Sequence, residues 1–496
     1  MAHSGIFLSS WSANGLHYKA CRVPAAHQGK VAGAQAEEAG AQEAGAQEEE
    51  AGQAQETCAQ VQVEEMMRTD YTGRDPIGLD QSYVIKATQS QALNDGGVIC
   101  LRFPADPERF TDLNTVLLRL EVSVQKPNGE EPGEDDPPVT IDEQGMHALF
   151  QTVTVRFNER AISVMNAYPY TAKLCRMLGM SEGLRTGVFD TLDASRAPSL
   201  KASQIADNAA TRLATTATAH RILKNAVLYG RVYADILTSA RQYLPPGIAL
   251  GVDLRRAPDQ FTLQSPDANA KYRLFVSNAS LYVKRRRMEP SPTIASQIAS
   301  GGTLGYNRLE TRLVSIPKET KVFNWLNCLG TGAQLPNRLY LTFIAQKSFY
   351  GTINQASTWF EHMYLHRLSV KVGGRDILVE PITSTFISTA AGQLDTTKTE
   401  ALDGFLSVAE VVDAIRDQTA PLRLNYADYL LGGVVYAIEF GKCGERTGAY
   451  SGAVDIEAEF SRVDEAAQTN SGTPEPCLMV AFCERTEYVN LAAAAS

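Results

Sequence analysis

VTVRFNERAI, residues 153–162, and LSVKVGGRDI, residues 368–377, follow one pattern at an offset of 215 residues. In each, apolar residues alternate, Val153, Val155 and Phe157 in the first and Leu368, Val370 and Val372 in the second. Such alternation is what a strand with one buried face requires. Each run stops at a two-residue turn, Asn158-Glu159 or Gly373-Gly374, before a second short strand. Asn and Gly tolerate the positive φ of a tight hairpin, so the match has a physical basis as well as a textual one. Arg160 then matches Arg375, and Ile162 matches Ile377.

Working outward, FPADPERF (Phe103–Phe110) aligns with IPKETKVF (Ile316–Phe323) at an offset of 213. Gly251-Val252-Asp253-Leu254 aligns loosely with Ala453-Val454-Asp455-Ile456, and the apolar run ending at Val283 with the one ending at Val489. Shared order at near-constant spacing predicts a duplicated β-module of about 200 residues. Candidate strands are Val98–Phe103, Val116–Val124, Val153–Phe157, Val227–Leu237 and Leu274–Val283, separated by clusters such as KPNGEEPGEDDPP at 126–138. Each module carries a longer, partly helical excursion after its hairpin, Tyr168–Arg221 and Thr383–Arg416. In the first, Ala172, Leu174, Cys175 and Leu178 have helical spacing.

The expected fold class is therefore all-β: two tandem jelly-roll β-sandwiches with partly helical loop insertions, other tandem-sandwich topologies also fitting the pattern. The expected division is an arm at 1–79, a first jelly roll at 80–290, a linker at 291–305 and a second jelly roll at 306–496. The linker follows Pro290, contains Pro292 and is rich in Ser and Gly.

Charge is distributed unevenly. Of the net charge of -10, residues 1–30 contribute +3 through Lys19, Arg22 and Lys30, and nine glutamates within residues 31–67 contribute -9. The rest of the chain is nearly balanced, so acidity says little about the partner of the folded part. Between Ala32 and Val63 the sequence cycles through Ala, Gly, Gln and Glu with no aromatic residue, a composition that cannot offset the entropy of ordering. A flexible, solvated arm is expected there. The eight cysteines lack any C-x-x-C pair, which favours a reducing compartment over a disulfide framework. No apolar run reaches the length of a membrane span, and the N-terminal stretch lacks the apolar core of a signal peptide.

HALFQTVTVRFNERAIS (His147–Ser163), followed by AYPYTAKLCRML (Ala167–Leu178), resembles the signature of the major capsid proteins of Polinton/Maverick elements and adintoviruses. LYGRVYADIL (Leu228–Leu237), LPPGIALGVDLR (Leu244–Arg255) and NASLYVKRRRMEPS (Asn278–Ser291) resemble that family in its order, and the likeness spans roughly residues 80–490. Glu159 stands where the family usually has Gly, and the acidic arm has no counterpart. The resemblance implies a double jelly-roll, hexon-like capsid subunit that forms homotrimers, with penton and minor capsid proteins as further partners and the virion as its location.

The residues offer little for catalysis. His362 and His366 stand beside Glu361, but an H-E-x-x-H metal site needs Glu directly after the first His on a helix, and here Met363 follows. Neither a phosphate-cradling G-x-x-x-x-G-K-[ST] loop nor a G-x-S-x-G elbow occurs. The acids at 130–136 cluster in a Pro/Gly-rich loop, whereas acid–base pairs need unequal, partly buried environments. No cofactor, metal or catalytic residue is expected. The one dense basic run, Lys284, Arg285, Arg286 and Arg287, is the candidate for contact with nucleic acid or a neighbouring subunit. The expected function is a major capsid protein of a double-stranded DNA virus or virus-like element. An enzyme or carbohydrate-binding protein on tandem sandwiches, or a host-retained capsid-derived protein, are the alternatives.

Overall fold

The computed structural model describes residues 81–86, 97–179, 226–286 and 302–491, less short breaks at 134–135, 138, 266, 331–333, 389–393, 395–396, 413–423, 441–451, 462 and 465–471. All of these belong to one compact unit, Gln62–Ser496. The acidic arm, Arg287 and the Pro-containing stretch after it lie outside the described residues.

The first module is built from β1 (Gln81–Lys86), β2 (Val98–Phe103), β3 (Phe110–Gln125), β4 (Phe150–Phe157), β5 (Arg160–Asn166), β6 (Ala226–Arg231), β7 (Leu250–Arg256) and β8 (Arg273–Arg286). They form two four-stranded sheets, ordered β1-β8-β3-β6 and β2-β7-β4-β5. The second module repeats this with β9 (Thr303–Ile316), β10 (Val322–Trp325), β11 (Arg338–Ala345), β12 (Leu365–Val372), β13 (Arg375–Asp376), β14 (Tyr436–Glu439), β15 (Val454–Phe460) and β16 (Cys477–Asn490). Its sheets run β9-β16-β11-β14 and β10-β15-β12-β13, the second widened by Ile382–Thr383, which also pairs with β12. Counted within each module the orders are the same, first strand beside last and second beside seventh, which is the jelly roll. The expectation of two tandem jelly rolls is borne out.

The hairpin that opened the sequence argument is equivalent in both modules down to its register. Phe157 faces Arg160 and Arg156 faces Ala161, while Val372 faces Arg375 and Lys371 faces Asp376. Asn158 takes φ of 52° and Gly373 takes 56°, so Asn stands in for Gly at the position that demands a left-handed backbone. Two other alignments need correcting. FPADPERF joins β2 to β3, whereas IPKETKVF joins β9 to β10, so they are not equivalent connections. Both leave a buried strand end through an apolar residue and Pro, a local need that many connections share. Val155 faces Val252 while Val370 faces Ile456, so the counterpart of Val252 is Ile456 rather than Val454. The two-residue shift keeps the same face inward, which is why the alternation survived it.

Each sandwich encloses its own core. In the first, Leu118, Leu120, Val122 and Val124 of β3 meet Val153, Val155 and Phe157 of β4. In the second, Leu339, Leu341 and Phe343 meet Leu368, Val370 and Ile456. Each such side chain contributes about 1.5–3 kcal/mol on burial. The strand expected over Val227–Leu237 ends at Arg231, and a short helix, Asp235–Ser239, follows. There Ile236 and Leu237 turn into the first core. The helical excursions appear as α1 (Tyr168–Gly179) and α2 (Leu402–Val411), each lying between the fifth and sixth strands of its module. Residues 180–225 and 413–423 lie outside the described residues.

Candidate functional site

The feature that sets this chain apart from two beads on a string is the seam between its jelly rolls, and α1 is its centre. Pro169 sits in the first turn, where its missing N–H costs nothing. The helix is apolar on both sides because both sides are covered. Tyr168 and Ala172 join the first core, while Tyr170 and Leu174 join a third cluster with Tyr340, Ile344, Val480 and Phe482. Those four residues alternate with the inward-facing residues of β11 and β16, so they form the outer face of sheet β9-β16-β11-β14. Module one thus covers an outer sheet face of module two. Tyr170 stacks on Phe349 at 5.8 Å and donates its hydroxyl to the Ser357 carbonyl at 3.0 Å.

Polar groups are buried in the same seam. The Lys173 side chain is 2% exposed and that of Glu143 4%, and they form an ion pair. Lys173 Nζ also donates to the carbonyls of Thr358 at 2.7 Å and Gly432 at 2.8 Å, both in module two, and lies 4.7 Å from the centre of the Phe360 ring. Beside it Asp142 is fully buried and accepts from Gln264 Nε2 at 2.6 Å, Gln144 N at 3.1 Å and Ser357 N at 3.0 Å, and from the Thr358 hydroxyl. Buried charges are tolerable only when paired and hydrogen-bonded in this way.

A second polar contact ties the short helix after β6 to β9. Asp235 accepts from the Ser163 hydroxyl and from Leu309 N at 3.4 Å, and Ser239 Oγ donates to the Asn307 carbonyl at 3.1 Å. Burial pushes the Asp235 carboxyl above the usual carboxylate range, against the lowering effect of the Ser163 hydrogen bond. A cavity of about 340 Å³ lies along this contact, lined by Cys175, Asp235, Asn307, Tyr340 and Glu484 among others.

The basic run is not a row of four solvated charges. Arg285 is buried, lies 3.4 Å from Asp106 and donates to the Pro104 carbonyl at 2.5 Å. Arg286 lies 3.6 Å from Asp112 and 5.5 Å from the centre of the Tyr243 ring. The structure therefore turns Arg285 and Arg286 toward carboxylates of their own module, and half-buried Lys284 stands opposite Asp112 in the ladder. His362 stacks on Phe386 at 4.4 Å and accepts from Tyr364 N, and His366 Nδ1 lies 3.1 Å from the Ser384 carbonyl, so both are engaged in packing. Among the described residues no group of three or more His, Cys, Asp or Glu is placed to hold a metal ion. Burial pushes the thiols of Cys175, Cys328, Cys477 and Cys483 up to about 12, which leaves them unreactive at neutral pH.

Sequence reasoning missed Lys173, Glu143 and Asp142. The signal for Lys173 was a charge, one of two with Arg176, inside the otherwise apolar run of α1; for the two acids no local signal existed, because partners such as Lys173, Gln264 and Ser357 lie far along the chain.

Duplicated sandwiches with one shared strand order, fused through a buried seam, define a double jelly-roll fold. One solved structure agrees at the level of fold. A chain of the Sputnik virophage, solved by cryo-electron microscopy, superposes with a TM-score of 0.54 at 11% identity, over 86% of this chain and 89% of that one. The Faustovirus major capsid protein (TM-score 0.44, 8% identity, 85% and 92% covered) and the mavirus major capsid protein (0.42, 9%, 86% and 92%) are also similar. No protein-family model and no curated protein sequence matches the chain.

Proposed function

We propose that this chain is a major capsid subunit of a double-stranded DNA virus or virus-like mobile element, working by self-assembly as a homotrimer of pseudo-hexagonal outline. The observation that carries the reading is the repetition of one strand order in two modules fused side by side. Three copies about a threefold axis supply six similar sandwiches, which suits the six-coordinated positions of a closed shell. The buried seam supports it further, because a tile needs a fixed angle between its halves, and paired buried charges specify one arrangement. Penton and minor capsid proteins are the remaining partners in this reading, and the virion is its location. Nucleic acid or a neighbouring subunit is the proposed partner of the basic run Lys284–Arg287 in this reading. Among the described residues no helix is long and apolar enough to cross a membrane.

The mass in solution tests the proposal. Multi-angle light scattering at micromolar concentration should give three times the 53.9 kDa of the chain, and electron micrographs should contain hexagonal particles or arrays. A monomer persisting across salt and pH would overturn it.

A further inference from the structure

We propose that the cavity between the modules is a binding site for a small organic monocation, a primary ammonium on a short apolar body, with the Asp235 carboxylate as its anchor. At about 340 Å³ the cavity lies at the lower end of the roughly 300–1,000 Å³ span of small-molecule sites, which favour the interfaces between packed units. Its walls come from both modules. Met165, Leu174 and Leu178 bring apolar surface from module one, and Leu309 and the Tyr340 ring bring it from module two.

The charged residues of the lining are Asp235, Glu484 and Arg338, two carboxylates against one guanidinium. Glu484 is engaged. It accepts from Asn307 Nδ2 at 3.2 Å and from the Tyr340 hydroxyl at 3.3 Å, and Arg338 lies 3.9 Å from it. Asp235 carries the unmatched charge. It is 6% exposed, yet among the described residues no ion pair reaches it. Its hydrogen bonds come from neutral groups alone: Oδ1 accepts from the Ser163 hydroxyl and from Ile236 N at 2.7 Å, and Oδ2 accepts only from Leu309 N, at 3.4 Å. Arg308, whose field acts on it, is itself paired with Glu487 at 2.9 Å. A carboxylate buried without a cation carries a desolvation cost that neutral donors only partly offset, and burial accordingly raises its pKa. Acids in this condition, set in a cleft, mark binding sites.

The chemistry of the occupant follows. An ammonium supplies the missing charge, and its N–H donors suit an Oδ2 that holds one long bond. A carboxylate or phosphate would meet two like charges, and an alcohol would leave the acid unmatched. Because the walls belong to both modules, an occupant holds the seam together by mass action and raises the melting temperature.

Isothermal titration calorimetry on the full chain near neutral pH tests this with n-hexylamine, 1-hexanol and sodium hexanoate, which share an apolar tail and differ in the head. Hexylamine is expected to bind at least about tenfold tighter than hexanol, and hexanoate not to bind. Asp235→Asn, of nearly equal volume, should erase the preference for the amine. Leu178→Trp, at a half-buried wall position, should abolish binding of both amine and alcohol with Asp235 intact. Hydrogen exchange on the wild-type chain needs no variant: hexylamine should protect peptides holding Met165 to Leu178 together with those holding Asn307 to Leu309. Equal affinity for amine and alcohol, an undiminished preference in folded Asp235→Asn, or protection of neither wall would overturn the proposal, as would a chain that takes up none of the three at millimolar concentration. None of these readouts depends on the oligomeric state, so the capsid reading stands or falls separately.

Discussion

Replacing Lys173 by Met removes the cation from the centre of the seam while nearly preserving its volume. The variant strands the Glu143 carboxylate, whose side chain is 4% exposed, and frees the carbonyls of Thr358 and Gly432 from their shared donor. Removing one member of a buried pair costs about 3–5 kcal/mol, and the Thr358 carbonyl that loses its donor adds on the order of 1 kcal/mol, whereas the Gly432 carbonyl keeps Phe360 N. The expected loss is therefore at least about 4 kcal/mol, large on the scale of a whole protein's stability. The double variant Lys173→Met, Glu143→Leu removes the stranded charge and should recover about 3 kcal/mol of that loss. The sign of the pH dependence follows. In Lys173→Met burial disfavours the ionised form of Glu143 once its lysine is gone. The variant's deficit should therefore be full near neutral pH and shrink as the pH falls toward the unfolded carboxyl value of about 4.3. Denaturant titration at fixed protein concentration, followed by far-ultraviolet circular dichroism, reads both effects, and because Lys173 bridges modules the transition should also split in two. A loss below about 1 kcal/mol, or a double variant no more stable than Lys173→Met, would refute the argument that the pair is buried and mutually dependent.

Glycine substitutions should separate turn strain from seam packing. Gly374→Ala meets nothing within 4 Å and is expected to cost about 1–2 kcal/mol for its φ of 79° alone. Gly432→Ala drives a Cβ into the Trp359 indole at φ of 94° and should cost several-fold more, as thermal melts of the two variants would read. Burial acts to raise the Asp253 carboxyl, but hydrogen bonds from Arg102 and Arg156 outweigh it and hold it below the usual carboxylate range. Asp253→Asn should be less stable than wild type at pH 7, with the gap closing as the pH falls below 3.8 through the depressed folded value. Equal melts at pH 7 would contradict this. Iodoacetamide at pH 8 should leave Cys328, Cys477 and Cys483 unlabelled until the chain unfolds, and labelling of any of them in the native state by mass spectrometry would show that their strands open.

The hairpins at 158–159 and 373–374 were legible because their determinants are local. Alternation sets the buried face, and a residue tolerant of positive φ sets the turn, so both strands and even their register could be read from ten residues. The helical spacing at Ala172, Leu174, Cys175 and Leu178 was legible for the same reason, and α1 is where it was expected. Strand identity was not local. FPADPERF and IPKETKVF look alike because any buried strand that ends before a surface connection meets the same needs, and only long-range pairing shows that one follows a second strand and the other a first. Charge was equally ambiguous in one dimension. The basic run at Lys284–Arg286 reads as a surface patch until Asp106 and Asp112 arrive beside it from more than 170 residues earlier in the chain. Lys173 finds Gly432 at a separation of 259 residues, and Asp142 finds Ser357 at 215. The sequence by itself determined that there would be two jelly rolls, since each is specified by period and turn chemistry repeated along the chain. Tertiary structure decided how they are joined, because the seam is a set of pairings between modules, and the free energy of burying a charge depends on a partner that no neighbouring residue supplies.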